Sequence, residues 1–343
     1  MRTGISASTR NGLAPGNDNH AALDQSPAGG AGRRLAVQPA VTILMCTFNG
    51  ERFLAEQLAS LEWQTFTDWR LIVSDDGSTD GTLAILEAFR SAYPPGRVEI
   101  ISGPRAGAPA NFLFLADRRH PVTDYYAFCD QDDVWETDKL ARAVAILEKA
   151  PRDLPALYGS RTSLIDAEGR AIGLSPLFPR APTFRSALVQ SIAGGNTMVF
   201  NRAARDLLAY CGPDVDIPSH DWWLYQVTSA CNGLVYYDPI PSVRYRQHER
   251  NIIGSNMGLL AGLRRLRMLA QGRFRRWSDL NVAALARVRP RMSAESRHIF
   301  DQFRRARHGP LLQRVAMFAE SGVYRQSVPG NIALFAAVVL KKI

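Results

Sequence analysis

Uninterrupted apolar runs alternate along the chain with stretches whose apolar positions recur every three or four residues. Val41-Thr42-Ile43-Leu44-Met45-Cys46 reads as a central strand. Thr47-Phe48-Asn49-Gly50 breaks it, and Leu54, Leu58 and Leu61 then follow at helical spacing. Trp69-Arg70-Leu71-Ile72-Val73 predicts a second strand. The Ser, Thr and Asp residues of the loop after it suit the cap of a helix carrying Leu83, Leu86 and Phe89. Val98-Glu99-Ile100-Ile101 predicts a third strand, and a helix near 111–119 precedes a fourth at Tyr125-Tyr126-Ala127-Phe128. This alternation predicts βαβ units and an α/β fold with a mostly parallel, nucleotide-binding sheet. Further on, strands are expected at Leu157-Tyr158-Gly159-Ser160, in the run ending at Phe200, and at Leu234-Val235-Tyr236-Tyr237, with a helix opening at His220-Asp221. Residues 1–38, rich in Gly, Ala, Ser, Asn and Pro, read as a disordered leader. Residues 39–256 then form the α/β domain, and 257–343 a helical region.

Composition adds that the chain is globular, with 46% hydrophobic and 21% charged residues. No apolar run of spanning length occurs, and the polar N-terminus has no apolar signal core. Cys46, Cys129, Cys211 and Cys231 are scattered without a C-x-x-C pair, so they read as buried thiols of a reducing compartment. The expectation is a cytoplasmic protein. The net charge of +9 is unevenly placed: residues 257–343 hold roughly 17 Lys/Arg against about 4 Asp/Glu, leaving the first 256 mildly acidic.

Chemistry concentrates where strands end. Asp130-Gln131-Asp132-Asp133 follows the fourth strand, with three carboxylates in four residues. Ligands of open α/β sheets bind at the carboxyl ends of the strands. Hard cations there take one or two carboxylates plus substrate phosphates, although acidic triplets are also common in solvated loops. Asp75 and Asp80 read first as turn and cap residues. Neither a Walker A loop nor G-x-G-x-x-G is present, which argues against a P-loop NTPase or a dinucleotide site. Gly194-Gly195 permits close backbone approach to a ligand. Asp221 fits either a helix cap or a reactive acid, and a lone histidine such as His248 is more often not a ligand than one.

Taken in order, Cys46-Thr47-Phe48-Asn49, Asp75-Asp76-Gly77-Ser78-Thr79-Asp80, Asp130-Gln131-Asp132-Asp133, Gly194-Gly195-Asn196-Thr197, His220-Asp221-Trp222-Trp223 and Tyr245-Arg246-Gln247-His248 resemble the inverting glycosyltransferases of family 2, which have the GT-A fold, and among them bacterial rhamnosyltransferase-like members. The resemblance runs from about Val41 to about Ser255, roughly two-thirds of the chain. It implies that Thr47 and Phe48, with Asn49 beside them, line a nucleoside pocket and that Asp76 binds the base. Arg105 and Asn111 would contact the nucleotide or donor, and Asp130 the ribose or sugar hydroxyls. Asp132 and His248 would hold Mg²⁺ or Mn²⁺, Asp221 would be the catalytic base, and Gly195, Asn196 and Trp223 would lie at the diphosphate or acceptor. Trp222 and Trp223 are also read as core residues or as platforms for a sugar. The Q-x-x-R-W signature of processive relatives is missing, which favours transfer of a single sugar. The donor implied is a nucleoside-diphosphate sugar, with dTDP-rhamnose the leading candidate, and the acceptor a saccharide or lipid-linked hydroxyl in cell-surface polysaccharide or glycolipid assembly.

The C-terminal region leaves two readings open. Leu259–Leu269 mixes leucines with arginines, and Ile332–Lys342 is too short to span a bilayer but suits an interfacial segment on an anionic inner leaflet. The same residues also suit a helical subdomain packed on the catalytic one. A nucleic-acid-binding role for the arginines would leave the ordered N-terminal motifs unexplained, and no nucleic-acid partner is expected. A nucleotidyltransferase would need a glycine-rich phosphate loop that is not seen.

Overall fold

β1 (Val41–Thr47) carries no charge and is buried along its whole length, as a strand with both faces covered must be. The computed structural model describes residues 41–117, 122–248 and 273–343. The leader at 1–38 and the run Leu259–Leu269 lie outside these residues. β2 (Trp69–Asp75) and β4 (Tyr125–Cys129) flank β1 in parallel, and β3 (Val98–Ser102) pairs in parallel beyond β2. The connections run through α1 (Leu54–Glu62), α2 (Thr82–Ser91) and α3 (Ala108–Asp117). The chain therefore leaves β1 toward β2 on one side and later returns to β4 on the other. A crevice forms outside the strand ends at such a switch point.

The second half of the sheet is mixed rather than mostly parallel. β5 (Val134–Trp135), β6 (Ala156–Ile165), β7 (Ala171–Leu174), β8 (Val199–Asn201) and β9 (Leu234–Arg246) complete the order β3-β2-β1-β4-β8-β6-β9-β5, with β7 on β6. The three-residue β8 is antiparallel to both β4 and β6, while β6 and β9 are parallel. β9 runs nine residues beyond the expected Tyr237, through Pro239 and Pro241. Its register against β6 shifts between Ser160 and Thr162, where Asp238 gives way to Val243. The prolines fall in that bulge, where no ladder N–H is required.

Alternate residues of the strands feed two cores. Val41, Ile43 and Met45 pack with Leu54, Leu58 and Leu61 of α1 and with α4 (Lys139–Leu147). Leu44, Cys46 and Phe128 face the other way, toward α3, α5 (Phe184–Ala187), α6 (Arg202–Cys211) and α7 (His220–Ala230). On α2 the buried positions are Thr82 and Leu86, so Leu83, one residue round from Thr82, turns outward at 42% exposure. The C-terminal helices α8 (Arg273–Val288), α9 (Ala294–His308), α10 (Leu311–Ser321) and α11 (Val328–Val339) lie on the second face. α8 packs on α6 and α7, and Leu285, Phe300 and Phe303 join the cluster that holds Phe128 and Trp223.

Phe300→Ala should cost about 3–5 kcal/mol, the usual penalty for emptying a phenylalanine site in a core. The urea midpoint followed by tryptophan fluorescence should fall as one transition. A sheet transition left unmoved would show that the C-terminal helices unfold on their own.

Candidate active site

Three polar loops meet at the carboxyl ends of β1, β2 and β4. Asp75, at the end of β2, accepts hydrogen bonds from Thr47 Oγ1 at 2.8 Å, from Gly77 N at 3.1 Å and from Ser78 N and Oγ at 2.8 and 2.6 Å. Asp80 accepts from Thr82 N and Oγ1 at the start of α2. Both therefore serve the turn and the cap. Asn49, in a left-handed conformation at φ 49°, donates from its N–H to Ser78 Oγ and accepts from Thr79 N. The first two loops are thereby laced together. Phe48 stands at the rim, 56% exposed. Its backbone is gripped by the Gln131 side-chain amide, which accepts from Phe48 N at 2.9 Å and donates to Phe48 O at 3.1 Å. Asp76 takes one N–H on each carboxylate oxygen, from Arg105 at 2.6 Å and Gly107 at 2.8 Å. About two of its four acceptor positions remain for a ligand. Asn111 is buried, with its amide spent on Ser74 of β2, so it braces the pocket floor.

The acidic loop is held from beneath. Asp133 is fully buried and accepts from Asn196 Nδ2 at 2.6 Å and from Arg246 N at 3.0 Å. Burial, then the Asp132 charge, pushes its carboxyl up to about 7 against those hydrogen bonds. The Arg246 guanidinium, itself buried, donates to the carbonyl oxygens of Asp132, Asp166 and Ala167 and to Glu56 of α1 at 2.5 Å. Two residues on, His248 Nε2 meets Asp132 Oδ2 at 2.8 Å. Lys139 is buried below, with its ammonium 2.5 Å from the Asn196 carbonyl oxygen and 3.1 Å from the centre of the Trp135 ring. Burial pulls Lys139 down to about 7 against the nearby acids. Asp130 is half-buried. Desolvation first, then the charges of Asp133, Asp132 and Asp221, holds its carboxyl well above the ordinary range.

The third wall joins the turn Gly195–Thr197 to the start of α7. A Cβ on Gly195 would sit 2.3 Å from His220 Nε2, so this position accepts only glycine. His220 stacks on Phe112 at 3.8 Å between ring centres and meets Phe128 edge-on. Burial pulls its imidazole down to about 4, so it is neutral at pH 7. Asp221 is half-buried, and its Oδ1 accepts from Trp222 N at 2.7 Å. It does not cap α7: the cap position is Ser219, and Asp221 stands inside the first turn. Its charge nevertheless reaches Asp130.

The structure thus links Thr47, Phe48, Asn49, Asp76, Asp130, Asp132, Asp221, Gly195, Asn196 and His248 through one set of neighbouring contacts beyond the strand ends, with the exposed Arg105 beside Asp76. Trp223 is not among them. The ring is fully buried in the core, where no face is open to a sugar, and Trp222 is buried with Nε1 donating to the Ala187 carbonyl oxygen. Asn196 and Asp133 satisfy each other, which makes that asparagine a support. Gln131, Lys139, Glu56 and Arg246 were not anticipated. Gln131 and Arg246 sit inside motifs already noted, whereas Lys139 and Glu56 read as ordinary helix charges. Among the described residues no group of three or more His, Cys, Asp or Glu is placed to hold an ion. Asp132 and His248 offer two ligands, which fits a cation that completes its shell with phosphate oxygens and water.

A family model described as Glycosyl transferase family 2 matches residues 42–207. The dTDP-rhamnosyl transferase RfbG of Shigella flexneri is 31% identical over 254 residues, 71% of this chain and 84% of that protein. The UDP-Glc:alpha-D-GlcNAc-diphosphoundecaprenol beta-1,3-glucosyltransferase WfgD of Escherichia coli is 31% identical over 121 residues, 35% of this chain and 45% of that protein. Among solved structures, S. aureus TarS 1-349 in complex with UDP superposes with a TM-score of 0.50 at 14% identity, over 88% of each chain. That likeness shows a shared fold.

His220 makes stability depend on pH. Unfolded, it takes up a proton near pH 6.5, and folded only near 4. Its contribution is therefore intact above pH 6.5 and is lost as the pH falls toward 4. Between pH 7.5 and 4.5 the native chain should lose about 2.5 kcal/mol more than His220→Gln, read from urea midpoints. Equal losses in the two proteins would refute the buried neutral imidazole.

Proposed function

The chain belongs to glycosyltransferase family 2, and we propose on that premise that it moves one sugar from a nucleoside-diphosphate sugar to an acceptor hydroxyl with inversion at the anomeric carbon. The observation that carries this reading is the convergence of Asp130, Asp132, Asp221 and His248, from three separated segments, at the switch point of the sheet. Phe48 offers an exposed ring for the base, and Asp76 has acceptor capacity left for a base N–H. Asp130, kept protonated more readily than an ordinary carboxyl, suits a hydrogen bond with ribose or sugar hydroxyls. Asp132 and His248 would hold Mg²⁺ or Mn²⁺. Bound there, the cation neutralises charge on the departing diphosphate.

Asp221 Oδ1 is engaged by Trp222 N, and Oδ2 makes no hydrogen bond among the described residues. We assign that oxygen as the general base. It takes the acceptor's proton as the hydroxyl oxygen bonds to the anomeric carbon, and the bond from that carbon to the diphosphate oxygen breaks on the opposite face. The products are the glycoside, with inverted configuration, and the nucleoside diphosphate. Positioning and fixed charges carry most of such a reaction. The likeness to RfbG, named as a dTDP-rhamnosyl transferase, supports dTDP-rhamnose as donor. The partial likeness to WfgD, named for a diphosphoundecaprenol-linked acceptor, supports a lipid-linked acceptor at the inner face of a bacterial membrane. We assign the GT-A catalytic unit to 39–256 and the basic helical region to 257–343.

Three measurements test the assignments. Asp132→Ala should nearly abolish turnover and the Mn²⁺-dependent part of nucleotide binding by calorimetry, and unchanged binding removes the metal role. Asp221→Asn should keep donor affinity while kcat drops by about 10²–10⁴, and full activity would refute the base. A thermal-shift panel of nucleotide sugars with Mn²⁺ should favour dTDP-rhamnose, and a larger shift with a UDP-sugar would reassign the donor.

A further inference from the structure

α11 contains no charged residue from Val328 to Val339. A helix apolar all round is ordinarily enclosed, and this one is enclosed on one side alone. Leu334, Ala337 and Val338 enter the core cluster. Arg314 of α10 donates to the Val339 carbonyl oxygen at 2.7 Å, which holds the helix in that rotation. Outward stand Val328, Ile332, Phe335 and Val339, at spacings of four, three and four, which form one stripe. Ile332 is 66% exposed, Phe335 51%, and Leu312 on the adjoining α10 86%. At about 18 Å the helix falls well short of the roughly 30 Å of bilayer hydrocarbon, and no described helix is long and apolar enough to cross a membrane.

Charge decides what covers the stripe. Lys341 and Lys342 follow it after Leu340, and residues 273–343 hold 14 Lys/Arg against 4 Asp/Glu, a net +10. Each of those acids already has a partner: Asp279 with Arg307, Glu295 with Arg185, Asp301 with Arg289, and Glu320 with Gln302. A second copy would set one cationic surface against another, whereas anionic lipid complements it. We propose that α11 lies flat in the interface of an anionic bilayer, with Ile332, Phe335 and Leu312 below the headgroups and Lys341 and Lys342 among the phosphates. This goes beyond the catalytic reading and stands without it, because its test measures no sugar transfer.

The full chain, sedimented at low salt with vesicles of phosphatidylcholine alone or mixed with phosphatidylglycerol, should pellet with the mixed vesicles and release as salt rises. The double variant Ile332→Gln/Phe335→Gln keeps helix-compatible residues. Its partition should fall about tenfold or more, with melting temperature and nucleotide binding unchanged. No pelleting, equal pelleting with neutral vesicles, or a double variant that still partitions like the native chain would each overturn the proposal. So would a dimer by light scattering that the double variant converts to monomer, since the stripe would then belong to a second copy.

Discussion

The buried carboxylate of Asp133 is the constraint on which the site depends. It receives Asn196 from the turn Gly195–Thr197 and the Arg246 N–H from the end of β9, so three chain segments are fixed through one side chain. Removing a single partner from such a buried group leaves polarity that nothing satisfies, at a typical cost of about 1–3 kcal/mol. The Arg246 guanidinium extends the same contact to the Asp132 carbonyl oxygen and outward to Glu56. The geometry between Asp132 and His248 is thus set from behind, by the buried Asp133 and Arg246.

Much of this was legible in the sequence because buried parallel strands appear as unbroken apolar runs. β1, β2 and β4 were visible for that reason, and with them the loops at Thr47, Asp76 and Asp130. The run ending at Phe200 shows β8, but β5 leaves no trace, since two residues carry no periodicity. The strands of the second half are legible as runs, but their mixed pairing directions are not. Pro239 and Pro241 made β9 look shorter than it is, until the bulge opposite Ser160–Thr162 accommodates them.

Side-chain roles divided along a different line. Residues presented at strand ends stand out by type and order, as with Asp76 and Asp132. Residues whose importance comes from burial do not. Lys139 lies on the inner face of α4, and only its place beneath the acidic loop separates it from a solvated lysine. Trp223 shows the reverse. An aromatic two residues from an acid suggests a sugar platform, yet on α7 that spacing turns Trp223 about 200° away from Asp221, into the core. Leu83 differs from Leu86 in the same way, through helical phase rather than chemistry.

The packing of α8 and α9 bears on where this protein can be divided. The region matched to the family ends at residue 207, inside α6, and every residue of the proposed site lies before 249. The apolar cluster under that site does not end there, for it runs on through Leu285, Phe300 and Val338 to Ile343. A fragment cut after His248 would retain every residue proposed for the chemistry yet bare the faces of α6 and α7 that α8 covers. The smallest piece that holds those residues is therefore shorter than the smallest piece that hides its own core, and a minimal folded unit must be sought by packing rather than by motif.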